Sequence, residues 1–194
     1  MSQKLGYIGL GKMGLALSKS LLKNGYDVYG YDIDPKRLEM LKEIGGNPVS
    51  SAKELAETCD IVFSILLKTE HIEENTFGDN GITKAKNQNF IFIEMSTMYP
   101  SWQVNLSSRL RKEGIEMLDA PISGSHPKVD DKTISIMVGG KKEIFDQIAP
   151  VLQSIAANVH YTGLNGTGAT MKIVTNLFVN SNAALLAEMV LVGE

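Results

Sequence analysis

The stretch Gly9-Leu10-Gly11-Lys12-Met13-Gly14 decides the fold, because both of its flanks fit the same chemistry. Lys4-Leu5-Gly6-Tyr7-Ile8 before it is short and apolar enough for a buried parallel strand. After it, Leu15, Leu17, Leu21 and Leu22 recur at helical spacing as far as Asn24-Gly25, a helix stop. Strand, Gly-x-Gly-x-x-Gly and helix in that order make a dinucleotide-binding turn. Gly9 permits the tight turn, Gly11 lets backbone approach a pyrophosphate, and Gly14 lets helix pack on strand. The helix start then offers free N–H groups and the positive end of its dipole to phosphates. The alternative is a βα turn with no ligand, since glycine turns are common.

The next element bears on which dinucleotide. Asp27 to Tyr31 reads as the second strand, ending at Asp32-Ile33-Asp34-Pro35. An acid about 20 residues beyond the glycine loop is placed to accept hydrogen bonds from the adenosine ribose hydroxyls. Asp32 fits, and it repels a 2′-phosphate, so NAD is preferred. Lys36 and Arg37 keep NADP possible, because basic residues just past this strand can bind a phosphate. Asp34 is read as the cap of a helix starting near Pro35.

Composition sets limits on the rest. At 194 residues the chain can bury one good core, with little left for a second full domain. Net charge is −3 with both signs mixed, which argues against nucleic acid or an anionic membrane as partner. The single cysteine, Cys59, rules out an internal disulfide framework and suits a reducing cytoplasm. No cleavable apolar segment precedes the first strand. The longest apolar run, near the C-terminus, is interrupted by Asn and Glu and reads as too short to span a bilayer. The expectation is a cytoplasmic protein.

Strands and helices alternate along the chain. Asp60–Leu66 and Asn89–Glu94 read as buried strands, Ser101–Glu113 as a helix, and Glu116–Asp119 as a short strand. Thr133–Val138 reads as a strand, Glu143–Ala156 as a helix that Pro150 kinks or splits, and Asn158–Tyr161 as a final strand. This predicts an α/β fold with a doubly wound, mostly parallel sheet.

Then the pattern changes. From Ala169 to Ala187 a helix is apolar nearly all round, with Lys172 its one charge. Asn176 and Asn180 follow at four-residue steps, forming a polar stripe with Lys172. An ammonium there carries a desolvation cost unless something uses it; the alternative is a lysine that snorkels to water. Two strand-end turns also carry polar groups. Glu94-Met95-Ser96-Thr97-Met98-Tyr99-Pro100 sets two hydroxyls where doubly wound folds bind ligands, or else caps the helix after Pro100. Asp119-Ala120-Pro121-Ile122-Ser123-Gly124-Ser125 offers a hydroxyl and N–H groups to an anion, or else is a plain polar turn.

Taken together, these residues resemble the β-hydroxyacid dehydrogenases, which include 3-hydroxyisobutyrate dehydrogenase, tartronate semialdehyde reductase and glyoxylate/succinic semialdehyde reductase, and more distantly 6-phosphogluconate dehydrogenase. The resemblance covers the whole chain. The family's glycine loop, Gly-x-Gly-x-Met-Gly, is matched including Met13. Its Asp-x-Ser-Thr loop near the nicotinamide corresponds to Glu94 through Thr97, with Glu replacing Asp. Its substrate motif, Asp-Ala-Pro-Val-Ser-Gly-Gly, corresponds to Asp119 through Ser125. Its catalytic motif, Gly-x-Gly-x-x-x-Lys-x-x-Asn-Asn, corresponds to Gly166 through Asn176. Thr175 replaces the first Asn of that pair, and Lys132 stands where glycine is common. Ser125 replaces a glycine as in the glyoxylate/succinic semialdehyde reductase branch, which usually takes NADP. Ser125 and Asp32 therefore point to different subgroups, and the departures concern the substrate rather than the reaction class.

The resemblance implies a Rossmann-type domain over 1–163 and, over 164–194, the start of a long interdomain helix whose all-helical domain is missing. It implies cofactor contacts from Gly9, Leu10, Gly11, Lys12, Met13, Gly14, Asp32, Leu66, Leu67 and Thr97. Lys172, Asn176, Ser123 and Gly124 are the implied catalytic and substrate groups, and no metal is implied. The implied reaction moves hydride between a small β-hydroxy acid and its aldehyde or semialdehyde, with Lys172 as general acid/base. As a base at neutral pH that lysine needs its pKa lowered from ~10.4 to roughly 7–8, about 4 kcal/mol of bias. Self-association through the C-terminal helix or the missing domain, and cofactor binding with poor or no turnover by these residues alone, are further expectations. The alternatives are an NADPH-dependent glyoxylate/succinic semialdehyde reductase and a non-catalytic dinucleotide-binding module. An intact Lys172 argues against that module, and also against an imine reductase of the same fold.

Overall fold

The computed structural model describes residues 3–86 and 89–193. Met1, Ser2, Asn87, Gln88 and Glu194, and with them the outermost ends of the two expected domain spans, lie outside those residues. Six parallel strands lie in the order β3-β2-β1-β4-β5-β6: Asn47–Pro48, Asp27–Tyr31, Lys4–Ile8, Ile61–Ser64, Ile91–Glu94 and Glu116–Asp119. The sheet continues with β8 (Ser135–Gly139), antiparallel to β6 and to the two-residue β7 (Ile122–Ser123). Strand β9 (Asn158–Gly163) lies parallel to β8 on its other side. The helices are α1 (Lys12–Lys23), α2 (Pro35–Glu43), α3 (Ala52–Thr58), α4 (Thr69–Phe77), α5 (Pro100–Lys112), α6 (Pro127–Asp130), α7 (Lys142–Ile155) and α8 (Thr167–Gly193).

The two-residue period of the strands sends alternate apolar side chains into two layers. On one face Leu5, Tyr7, Phe63, Ile93 and Leu118 pack with Leu17 and Leu21 of α1 and Ile148, Val151 and Leu152 of α7. On the other, Ile8, Val62, Phe92 and Met117 pack with Leu55 of α3, Ile72 of α4, and Leu106 and Leu110 of α5. Burying each large side chain contributes about 1.5–3 kcal/mol, so both faces must be covered for the parallel sheet to hold.

Several boundaries differ from expectation. Strand β4 stops at Ser64 because Ile65 makes the last ladder bond, donating to Ile8 O at 3.0 Å, before the chain turns past Gly9. Strand β5 begins at Ile91 rather than Asn89, while β8 spans Ser135–Gly139 and β9 runs on to Gly163. Pro150 neither kinks nor splits α7, which is continuous from Lys142 to Ile155. Pro150 is exposed, and so is Asp146, the residue whose carbonyl a proline at 150 leaves without its helical partner. The short elements β3, β7, α6 and the polar α4 carried too weak a periodicity to be anticipated. Lys132 has φ of 55°, a left-handed conformation that explains why glycine suits this turn.

The final helix overturns one expectation. Its Asn and Glu residues do not break it, and at 27 residues α8 is long and apolar enough to cross a bilayer by length and composition. The same properties belong to a helix covered by other protein. Only Gly168, Ala169 and Lys172 of α8 are buried, and from Leu177 to Gly193 every residue is exposed. Exposed along its whole described length, this distal half has little packing to hold it, so its amides should exchange with solvent at least about tenfold faster than those of α7 by hydrogen-exchange mass spectrometry. Equal protection of the two helices would show that α8 is covered in solution.

Candidate functional site

The chemistry-bearing groups collect at the C-terminal edge of the parallel strands. One register row crosses that edge: Tyr31 of β2, Ile8 of β1, Ser64 of β4, Glu94 of β5 and Asp119 of β6. The loops that leave this row form the crevice where open α/β sheets take their ligands.

The glycine turn is built as its sequence requires. Gly9 has φ of +93°, and a Cβ there would lie 2.5 Å from Ile65 O. A Cβ on Gly14 would sit 2.0 Å from Gly9 O, which explains that glycine by packing alone. Gly11 is different: nothing lies within 4 Å of a Cβ built on it, and its φ of −63° suits any residue. Protein packing therefore does not demand a glycine at this position, whereas close approach of a phosphate does. Gly11 is the N-cap of α1 and gives no side-chain cap, leaving the first amides of the helix available. Leu10 is buried in the core, Met13 is partly buried and Lys12 is exposed. These features fit a dinucleotide pyrophosphate.

Asp32 follows β2 and faces this turn. Its Oδ2 accepts from Leu10 N–H at 2.7 Å and its Oδ1 from Asp34 N–H at 2.9 Å, which fixes the carboxylate while leaving lone pairs for two hydroxyls. Asp34 caps α2 through Lys36 N–H at 3.0 Å, as read from sequence, and pairs with Arg37 at 3.8 Å. A cleft of about 240 Å³ lies beside Asp32, lined also by Gly9, Ile33, Leu66 and, from α4, His71, Glu74 and Asn75. The α4 residues were not anticipated: Thr69–Phe77 shows no apolar stripe to mark the helix, and their approach to Asp32 is made by tertiary packing. Leu66 lines the cleft, whereas Leu67 is 95% exposed and does not.

Ser96 and Thr97 have separate fates. Ser96 is buried and its Oγ accepts from Leu66 N–H at 2.8 Å, while Thr97 is exposed. Neither caps α5, whose N-cap is Tyr99 with no side-chain hydrogen bond. Ser123 and the exposed Gly124, with φ of +133°, follow β6 across the edge. Ser123 opens on a groove of about 730 Å³ between β7–β9 and α8, lined there by Thr170, Met171, Val174 and Thr175. Thr175 turns its hydroxyl back to Met171 O at 2.7 Å.

Lys172 and Asn176 lie on another face of α8 and do not line that groove. The start of this helix is held by Asp119, which is fully buried. Its Oδ1 accepts from Gly166 N–H at 2.7 Å and its Oδ2 from Ala169 N–H at 2.9 Å. Gly166, at φ of +91°, and Gly168, where a Cβ would meet Met137 O at 2.5 Å, let the helix press this close to the sheet. Burial raises the Asp119 pKa and these amides oppose the rise. Lys172, one turn further on, is 9% exposed, and burial lowers its pKa. Among the described residues it has no carboxylate at ion-pair distance. Nearby Glu94 is also fully buried, and burial first, then the Asp119 charge, raises its pKa to about 7 against the hydrogen bonds from Ser96. Neither Asp119 as the anchor of α8 nor Glu94 was singled out from sequence as a group acting on its neighbours.

The contrast between two glycines is testable. Gly14→Ala should lose about 3 kcal/mol or fail to fold, because Gly9 O cannot move away. Gly11→Ala should keep its melting temperature within about 2 °C yet weaken dinucleotide binding at least about tenfold, as read by calorimetry and fluorescence titration. Undiminished binding by Gly11→Ala would remove the phosphate from that loop.

Comparison with known proteins bears on the fold and the family. The chain is 33% identical over 194 residues to L-threonate dehydrogenase of Cupriavidus necator, covering all of this chain and 65% of that protein. It is 33% identical over 188 residues to 2-hydroxy-3-oxopropionate reductase of Escherichia coli, covering 97% of this chain and 64% of that one. The chain thus spans just under two thirds of the length of these relatives. The crystallised 3-hydroxyisobutyrate dehydrogenase of Mycobacterium tuberculosis, with L-serine, superposes at a TM-score of 0.86 with 26% identity. That superposition covers 98% of this chain and 66% of the other, so nearly all of α8 falls within the shared fold. Residues 4–163 match the NAD binding domain of 6-phosphogluconate dehydrogenase, and the chain belongs to that family.

Proposed function

We propose that this chain is the cofactor-binding part of an NAD(P)-dependent β-hydroxyacid dehydrogenase or reductase, acting on a small carboxylate substrate. The observation that carries the reading is Lys172: a lysine only 9% exposed and with no anionic partner among the described residues, on a helix that Asp119 fixes against the sheet edge. A pure binding module gains nothing from that cost. The named activities of the Cupriavidus and Escherichia relatives support the same class.

NAD(P), when bound, supplies the hydride acceptor for oxidation and the donor for reduction. Gly11 and the first amides of α1 hold its pyrophosphate, Asp32 its adenosine ribose, and Leu66 and Thr97 flank it beyond. Lys172 Nζ takes the hydroxyl proton of the β-hydroxy acid, or returns a proton to the aldehyde oxygen. Ser123, the Gly124 N–H and Asn176 hold the substrate carboxylate. Burial lowers the Lys172 pKa, the direction a base needs, whereas an acid for the reductive direction needs less. The exposed apolar length of α8 supports self-association or cover by further chain, and the buried thiol Cys59 suits the cytoplasm.

Asp32 supports NAD over NADP, because its fixed carboxylate repels a 2′-phosphate and Arg37 is turned to Asp34. The NADPH-dependent reading is favoured by the exposed Lys36 beside this site and by Ser125. Fluorescence titration of this chain is expected to give NADH binding at least about fivefold tighter than NADPH, with that preference lost in Asp32→Ala. Tighter NADPH binding reverses the cofactor assignment.

Turnover is assayed on a chain of the relatives' full length, with small β-hydroxy acids as substrates. Lys172→Ala should lower kcat at least about 100-fold and leave the cofactor Kd unchanged. In the oxidative direction the native rate should rise with pH as Lys172 loses its proton, with a midpoint below the ordinary lysine value. That limb should be absent from the variant. Near-full turnover by Lys172→Ala rejects the proposed chemistry.

A further inference from the structure

We propose that Glu94 is a positioning residue of the cofactor crevice: through Ser96 and Leu66 it locks the loops after β4 and β5 to the glycine turn. The links are explicit. Glu94 Oε1 accepts from Ser96 N–H at 2.7 Å, which folds the chain back just past β5. Ser96 Oγ, aimed by that fold, accepts from Leu66 N–H at 2.8 Å across to the neighbouring loop. Leu66 in turn packs on the glycine turn, its Cδ2 standing 2.8 Å from where a Gly9 Cβ would be, and it lines the cleft beside Asp32. Glu94 itself does not line that cleft.

The carboxyl is an expensive way to make one turn, which argues for more than local capping. It is fully buried, and its register neighbours are Ser64 on β4 and the acid Asp119 on β6. No lysine or arginine pairs with it among the described residues. Ser64 stands close enough to favour the ionised form, yet neither Ser64 Oγ nor Glu94 Oε2 completes a hydrogen bond. An uncompensated carboxyl inside a core costs stability that an apolar residue would spare. Its use is geometric, since a site on loops holds its shape only if the supporting groups are themselves fixed. Aspartate, which the resemblance places at this position, can make the same bond to the amide two residues on.

The inference rests on dinucleotide binding by this chain, not on the substrate chemistry. The test is a double-mutant cycle on NADH affinity, with Glu94→Ala, Ser96→Ala, the double variant and Glu94→Asp. Each single variant is expected to weaken binding about tenfold, the double variant by about the same tenfold, and Glu94→Asp by less than about threefold. The Leu66 amide should exchange faster in both single variants and regain protection in Glu94→Asp, a readout that needs no cofactor. Additive losses near 100-fold, or native affinity in either alanine variant, overturn the proposal while leaving cofactor binding intact. If the native chain binds neither dinucleotide, this inference and the cofactor reading fail together. Should Glu94→Ala not fold, Glu94→Gln replaces it; a loss of about threefold, not deepened by Ser96→Ala beyond that variant's own effect, is expected, and additivity again overturns it. Ile91→Val, at the far end of β5 and on the face opposite Glu94, serves as the control that lowers the melting temperature without changing NADH affinity.

Discussion

The carboxylate of Asp119 joins the two halves of the candidate site. It sits at the end of β6, fully buried, with both oxygens held by the first amides of α8. An N-terminal helix end and an anion satisfy each other, so a group that burial alone would neutralise is instead turned into a fastener. The direction of α8, and with it the height of Lys172 above the sheet edge, follows from that contact. Gly166 and Gly168 are the geometric condition for it: Gly166 has φ of +91° and a side chain there would meet Val104 and Pro100 of α5, while one at Gly168 would push the helix away from β6 and β8. The two glycines of the lysine motif thus act through backbone packing, whereas Gly11 of the dinucleotide turn faces open space.

The same edge shows how a parallel sheet concentrates polar groups without losing its core. Below the last register row, β1, β4, β5 and β6 carry apolar side chains to both faces, and the two layers of helix cover them. At the row itself the strands end together, and Ser64, Glu94 and Asp119 stand side by side. Burial first, and the neighbouring Asp119 charge after it, raises the Glu94 pKa to about 7. Each is used to hold a loop: Glu94 the turn at Ser96, Asp119 the start of α8. These are supporting groups, and the groups that face the crevice are mostly backbone amides and the side chains of Asp32 and Leu66.

Much of this was legible in the chain itself. Gly9 through Gly14 between an apolar strand and an amphipathic helix identified the turn, because only that order of periodicities brings a glycine loop to the end of a parallel strand. Lys172 was legible as the single charge of an apolar helix, with burial and snorkelling both open, and the cap at Asp34 as an acid before Pro35. Less legible were α4 and its His71, Glu74 and Asn75, since a short polar helix shows no stripe and its approach to Asp32 spans about forty residues of sequence. The continuity of α7 through Pro150 and of α8 through its asparagines was also hidden, because local breakers are overridden when the affected residue is exposed or the helix is otherwise strongly apolar.

The sequence alone determined the order of the longer strands and helices, the dinucleotide turn and the one lysine that stands out, since these depend on local periodicity and on residue types at short spacing. Only the tertiary structure decided what those residues touch. It set Glu94 beside Asp119 through a strand register, brought Ser96 to Leu66 across 30 residues of chain, and placed Ser123 on a groove that Lys172 does not line. Contacts of this kind arise from the packing of whole elements, where a one-residue change of register reverses which face a side chain occupies. No short stretch of sequence contains that information.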